Sequence, residues 1–306
     1  MNAFNLATPQ KTAKAPQVSI GMPVYNGAKF IHEALDSLLA QTFTDFELII
    51  SDNASTEETE AICREYVAKD ARIRYVRQST NLGASANFQF VLDEAVGEYF
   101  MWAAADDVWL PDYISVCVDS LAGSAKASFV ATAYKCVSRI SRLFNRKFPH
   151  VLACIENPDP YERVRRYTLQ PFSTHKDNLV YSLWRTEFIR LMIEKLKQIF
   201  PGSLPIGGVM NEYALFTGVG CYIPKVLFFK RYRYVPPGHW ADPFVGQFAR
   251  VINKVRGKRR AKTVAGCGVS QFLIDLERSM QATGAQTEFI REILTLNKLH
   301  QKQSSK

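Results

Sequence analysis

Short apolar runs alternate with amphipathic stretches from residue 18 to residue 121, and polar or glycine-bearing joints separate them. Residues 18–26, VSIGMPVYN, read as a buried strand that breaks at Pro23 into a loop, and residues 28–40 follow as a helix. A second strand over 46–51 ends in Asp52-Asn53-Ala54-Ser55. The next helix is expected over 56–68, capped by Ser55 or Thr56, with Glu57, Glu58 and Glu60 complementing the dipole of its first turns. Residues 73–76 form a short strand, and a helix over 84–95 sets Phe88, Val91, Leu92 and Ala95 on one face before Gly97 stops it. The apolar run from Tyr99 to Ala105 then reads as a buried strand that opens into solvent at Asp106 and Asp107.

Strands alternating with helices imply a parallel sheet, with the polar loops after its strands gathered along one edge. In such sheets ligands bind outside the carboxyl ends of the strands. Further along, 112–121 reads as a helix, 127–133 as a strand, 149–160 as a proline-bearing connection and 161–169 as a basic helix. A clearer helix over 188–199 aligns Ile189, Met192, Ile193 and Leu196, residues 215–229 suit a loop and strand pair, and 270–299 is helical. The expected fold is α/β, a mostly parallel, Rossmann-like sheet flanked by helices, with a less regular second half and a helical C-terminal region. Four stretches follow: a flexible tail over 1–16, a ligand-binding half over 17–121, a second half over 122–237, and a basic, mainly helical region over 238–306.

Composition narrows the class. A chain of 306 residues that is 47% hydrophobic and 22% charged builds a sizeable core and is not a disordered protein. The first sixteen residues lack the apolar core of a secretory signal, and no run of about 18 apolar residues suits a membrane span. The six cysteines are scattered without metal-ligand spacing, as reduced core residues of a cytoplasmic protein would be. The net charge of +9 is uneven: residues 253–262 carry Lys254, Arg256, Lys258, Arg259, Arg260 and Lys262 without an acid, and 139–147 is a second basic stretch. Such runs are either solvated faces or contacts for an anionic membrane surface. No nucleic-acid-binding motif accompanies the charge, so nucleic acid is not an expected partner.

Two stretches, VSIGMPVYNGAKFIHEALDSLLAQTFTDFELIISDNAS and NLGASANFQFVLDEAVGEYFMWAAADDVWLPDY, resemble the family 2 glycosyltransferases over residues 18–113. That resemblance implies the GT-A fold and inverting transfer from a nucleoside diphosphate sugar to a hydroxyl of a glycan or lipid-linked acceptor. It also implies work at the cytoplasmic side of a bacterial cell, in making lipopolysaccharide or capsule. Pro23, Val24, Tyr25 and Asn26 would line the base and ribose pocket. Asp52 is open between accepting an N–H of the base, which by donor pattern favours uracil or thymine, and capping a turn. Asn81, Gly83 and Asn87 match the family's segment between the nucleotide loops, although Gly83 alone also reads as a turn glycine.

The same resemblance makes Asp107 the ligand of a divalent Mg or Mn ion and sets Asp106 near the ribose. The pattern departs from the family at Ala105, where relatives often carry an acid, and metal dependence is open for that reason. His239 falls where some relatives place a histidine near the metal, and Arg231 and Arg233 are cations for the diphosphate. A catalytic base is expected from the second half: Glu212 by its spacing, with Asp177 next. Two rivals stay open, a non-catalytic nucleotide-sugar or glycan-binding relative and a membrane-surface adaptor. A sugar nucleotidyltransferase does not fit, because residues 18–27 lack its glycine-rich, arginine-bearing loop.

Overall fold

The computed structural model describes residues 15–137, 153–168, 176–199 and 207–231. Its first part follows the alternation: β1 (Val18–Val24), α1 (Ala28–Leu39), β2 (Phe46–Asp52), α2 (Thr59–Lys69), β3 (Ile73–Arg77), α3 (Ala84–Asp93) and β4 (Tyr99–Trp102). β1 lies between β2 and β4 and runs parallel to both, and β2 runs parallel to β3. Every residue of β2 and β4 is buried, because helices cover strands of this kind on both faces. The chain moves one way along the sheet through β2 and β3, then α3 carries it back over β2 and β1 to β4. Right-handed crossovers therefore put α3 on the face opposite α1 and α2.

The second part adds β5 (Val108–Trp109), α4 (Tyr113–Ala122), β6 (Phe129–Val137), α5 (Pro160–Thr168), β7 (Leu183–Arg185), α6 (Thr186–Ile199), α7 (Gly208–Thr217) and β8 (Gly220–Arg231). Short 3-10 turns lie at Ala153–Glu156 and Lys176–Tyr181. Among the described residues one eight-stranded sheet runs in the order β3-β2-β1-β4-β7-β6-β8-β5. β7 is antiparallel to both of its neighbours, β6 and β8 are parallel, and β5 closes the edge antiparallel to β8. Trp102, Trp109 and Trp184 are buried in the core against this sheet, with the Trp184 ring centred 4.8 Å from that of Phe129.

Several elements differ from expectation. α2 starts at Thr59, and neither Ser55 nor Thr56 caps it, because Ser55 N–H is drawn to Asp52 and its hydroxyl accepts from Asn26 N–H. β4 ends at Trp102, since Ala104 and Asp107 already close a turn through Asp107 N–H and Ala104 C=O. Residues 215–229 are the end of α7 and most of a single long strand. β8 stays one strand by bulging: Ile223 faces Thr132 and Val226 faces Ala133, so Pro224, which has no N–H to give, sits where the ladder is already broken. The expected tail, the basic stretches at 139–147 and 253–262, and the helical C-terminal region lie outside the described residues, apart from the last residues of the tail.

Candidate functional site

Strand order reverses at β1, and in sheets of this kind the crevice that takes a ligand lies at such a reversal, here outside the carboxyl ends of β1 and β4. Pro23 marks where it opens. Gly21 C=O still accepts from Ala103 N–H on the β4 side, but β4 is spent by then, so the missing N–H of Pro23, on that same side two residues on, leaves no ladder bond unmade. Immediately after Val24, Tyr25 stands 46% exposed, an aromatic ring held out at the strand end. Asn26 adopts a left-handed backbone at φ 53°, which asparagine tolerates because its short amide bonds locally. Its N–H donates to Ser55 Oγ and its Oδ1 accepts from Thr56 N–H, tying the β1 loop to the β2 loop.

The β2 loop is stitched to the start of α3 in the same way. Asn53 N–H donates to Val24 C=O, its amide donates to Asn81 Oδ1 at 2.9 Å, and its Oδ1 accepts from Leu82 N–H at 2.8 Å. Asn81 Oδ1 also takes Gly83 N–H, and Gly83 turns into α3 at φ 82°, a conformation glycine adopts without penalty. Asn87 is buried, accepting from Ser51 Oγ and donating to Ser51 C=O, so it fastens α3 to β2. Asp52 is also buried: Oδ1 accepts from Ser55 N–H at 2.8 Å and Oδ2 from Tyr75 OH at 2.7 Å. Burial, with the Asp52 carboxylate beside it, pushes the Tyr75 phenol well above its ordinary range, so it remains a donor. The first amides of α1 are already bonded, Gly27 N–H to Thr59 Oγ1 and Ala28 N–H to Glu57 Oε2.

Asp106 and Asp107 stand at the turn from β4 into β5. Asp107 has no exposed surface. Its Oδ2 accepts from Lys230 Nζ at 2.8 Å and its Oδ1 from the backbone N–H of Arg231 at 2.9 Å. Burial pushes the Asp107 carboxyl up to about 6 against the pull of Lys230. Burial also works against the Lys230 ammonium, but Tyr181 and Asp107 more than offset it and hold the group above the usual lysine range. Arg231 donates to Asp106 C=O and pairs with Glu33 on α1, its guanidinium lying over Phe30.

A resident divalent ion needs carboxylate oxygens that are open to it. Asp107 is fully buried with a hydrogen bond on each oxygen, Ala105 has no side-chain donor atom, Asp106 offers a half-buried carboxylate, and among the described residues no three His, Cys, Asp or Glu side chains gather where an ion would bind. The residues placed at this corner do not fit the metal that the sequence leads one to expect. His239 and Arg233 lie outside the described residues. Glu212 is half-buried on α7, which packs against α5 and the 3-10 turn Lys176–Tyr181, and Asp177 falls within that turn. Tyr181, the last residue of the turn, has its ring 4.1 Å from Lys230 Nζ.

The structure thus draws Pro23 to Asn26, Asp52, Asn81, Gly83, Asn87, Asp106 and Asp107 to one edge, and adds Asn53, Tyr75, Tyr181 and Lys230. Asn53 had a signal, since it extends the polar end of β2. Lys230 had one in retrospect, as a cation closing the apolar run from Val226 to Phe229. Tyr75 and Tyr181 gave none, because each reaches its partner from a distant element.

A family model described as glycosyl transferase family 2 matches residues 19–181, more than half of the chain. The chondroitin synthase of Escherichia coli is 31% identical over 136 residues, 44% of this chain and 20% of that protein. The glycosyltransferase GlyA of Streptococcus pneumoniae is 26% identical over 220 residues, 71% of this chain and 31% of that one. The chain spans about a third or less of the length of these relatives. Among solved structures, residues 1–349 of S. aureus TarS in complex with UDP-GlcNAc match with a TM-score of 0.55 and 16% identity, over 89% of this chain and 75% of that one. At that identity the likeness is one of fold, a GT-A glycosyltransferase fold.

Proposed function

The chain belongs to glycosyl transferase family 2, and we propose that it moves a sugar from a nucleoside diphosphate donor to a hydroxyl acceptor with inversion at the sugar carbon. What supports this is the convergence of the loops bearing Tyr25, Asn26, Asn53, Asn81 and Asp106 on the crevice where strand order reverses. In this reading Tyr25 offers the base or ribose its exposed ring, with Pro23, Val24 and Asn26 shaping the floor. Asn81, Gly83 and Asn87 fix the entry to α3, and Asp106 lies toward the ribose. Asp52 reads the N–H of uracil or thymine if the Tyr75 hydroxyl yields its oxygen. The solved complexes of TarS hold UDP-GlcNAc and UDP, which agrees with a uracil donor.

Inversion is one displacement. The acceptor oxygen bonds to the sugar carbon from the face opposite the diphosphate, the bond to the diphosphate oxygen breaks, and a base takes the hydroxyl proton. Glu212 is assigned as that base, with Asp177 as the alternative. In support, α7 packs on the turn whose Tyr181 borders the Asp107 corner. The acceptor is a glycan or lipid-linked glycan of a cell-surface polysaccharide, lipopolysaccharide or capsule. A chondroitin synthase among the relatives supports a polysaccharide product. The basic run at 253–262 then holds the enzyme peripherally at an anionic, cytoplasm-facing membrane.

The test is turnover with UDP- and dTDP-sugars and glycan acceptors, reading nucleoside diphosphate release and the anomeric configuration of the product by NMR. Inverted product is expected. Glu212→Gln should lower kcat by about a hundredfold or more with donor affinity unchanged. Donor binding without release, and no effect of Glu212→Gln, would favour the non-catalytic relative instead.

A further inference from the structure

The corner that would carry a metal carries a cation of the chain's own. β5 and β8 are antiparallel with Val108 opposite Phe229, so one step along the ladder sets Asp107 opposite Lys230. Lys230 Nζ reaches Asp107 Oδ2 at 2.8 Å, the Arg231 N–H fills Oδ1, and the Tyr181 ring lies 4.1 Å from the ammonium. Asp107 has no exposed side-chain surface while Lys230 keeps 17%. Lys230 is thus the more exposed member of the pair, and the half-buried Asp106 carboxylate lies near enough to act on both. An ammonium has three donors, of which Asp107 Oδ2 takes one and the Tyr181 side chain engages a second. The Arg231 guanidinium is committed elsewhere, to Glu33 and Asp106 C=O.

We propose that Lys230 provides at the donor's diphosphate the positive charge that a divalent ion would otherwise provide, with Asp107 and Tyr181 as positioning residues that hold its ammonium in place. The proposal rests on the donor-site reading above. It makes nucleotide binding independent of added metal, and it turns Asp107 from a metal ligand into the anchor of a lysine. A preorganised buried cation suits this role, because it faces the charge that develops on the leaving group without needing to reorganise.

Calorimetric titration of the full chain with UDP, dTDP, GDP and CDP, in EDTA and again in Mn²⁺ or Mg²⁺, tests it. At least one nucleotide should bind in EDTA with a Kd within about threefold of that in Mn²⁺, and Lys230→Met should weaken that binding by about tenfold or more. If Lys230→Met does not fold, as judged by its melting curve, the parent with and without metal decides. A parent Kd that is tenfold or more weaker in EDTA overturns the inference and leaves the donor site standing. Unchanged binding by a folded Lys230→Met overturns the inference as well. No binding under either condition overturns both the inference and the donor-site reading.

Discussion

Asp107 and Lys230 compensate each other's burial, with Tyr181 adding to the hold on Lys230. Removing one partner of a buried ion pair strands the other without its hydrogen bonds, which is costlier than removing both. Asp107→Ala should therefore lower stability by about 3 kcal/mol in urea denaturation, and a loss below about 1 kcal/mol would show that the pair is not formed in solution. Asp70 gives a contrasting case at a partly exposed turn. Its hydrogen bond from Arg72 holds the carboxyl below its ordinary value of 3.8, so the folded state binds that proton less tightly than the unfolded one. The contribution is present above the unfolded value and is lost as pH falls through the lowered one. Arg72→Met should reduce Tm at pH 7, and the gap to the parent should close as the pH is lowered below 3.8; a gap that persists undiminished in acid would contradict the assignment. Asp107 was legible in the sequence as a carboxylate at a strand end. Its partner was not, because 123 residues separate the two and nothing local to Asp107 announces a lysine.

At the level of elements, the first half could be read because β1, β2 and β4 are buried along nearly their whole length and so appear as unbroken apolar runs. β7 could not. Three residues, Leu183–Arg185, are too few to show a period, and only their pairing with β4 and β6 makes them a strand. Gly97 is where α3 returns to the sheet, and a methyl group there would lie 2.6 Å from Ser19 N and 2.8 Å from Val18 C. Backbone cannot give way as a side chain does, so Gly97→Ala should cost about 2–3 kcal/mol by chemical denaturation, and a neutral result would mean this junction is looser than described. Arg163 on α5 is buried and donates to Leu215 C=O and Gly218 C=O, holding the end of α7, and to Asn157 C=O. Those at the end of α7 are among the carbonyls a helix terminus leaves without partners. Arg163→Met should lower Tm and reduce kcat far more than donor affinity, since α7 carries Glu212 and its main packing partners are α5, α6 and the 3-10 turn Lys176–Tyr181. Equal losses in both would argue against a catalytic role for α7.

For the molecule as a whole, the sheet brings together two halves that differ in how they were made readable. The strand pattern sufficed for the loops at Asn26 and Asn53 and the family resemblance for Asn81, and the three loops are hydrogen-bonded together across the carboxyl edge. Residues 18–113 carry the resemblance visible in the sequence, whereas the family model extends to residue 181. Beyond that, β8 returns beside β6 and ends at the Asp106–Asp107 turn, so the far half of the chain delivers Lys230 and Arg231 to the site that the near half begins. Only the folded sheet makes that meeting visible, because it depends on a parallel pairing of distant strands and a bulge at Pro224.

The proposed donor site is the crevice between β1 and β4. Hydrogen–deuterium exchange of the full chain, followed by mass spectrometry with and without saturating UDP or dTDP, reads that location directly. Slowed exchange is expected in peptides covering 23–27, 52–56, 81–87, 104–108 and 229–231, with α5 and α6 unchanged. Slowed exchange confined to α5, α6 or α7, with those loops unaffected, would contradict it.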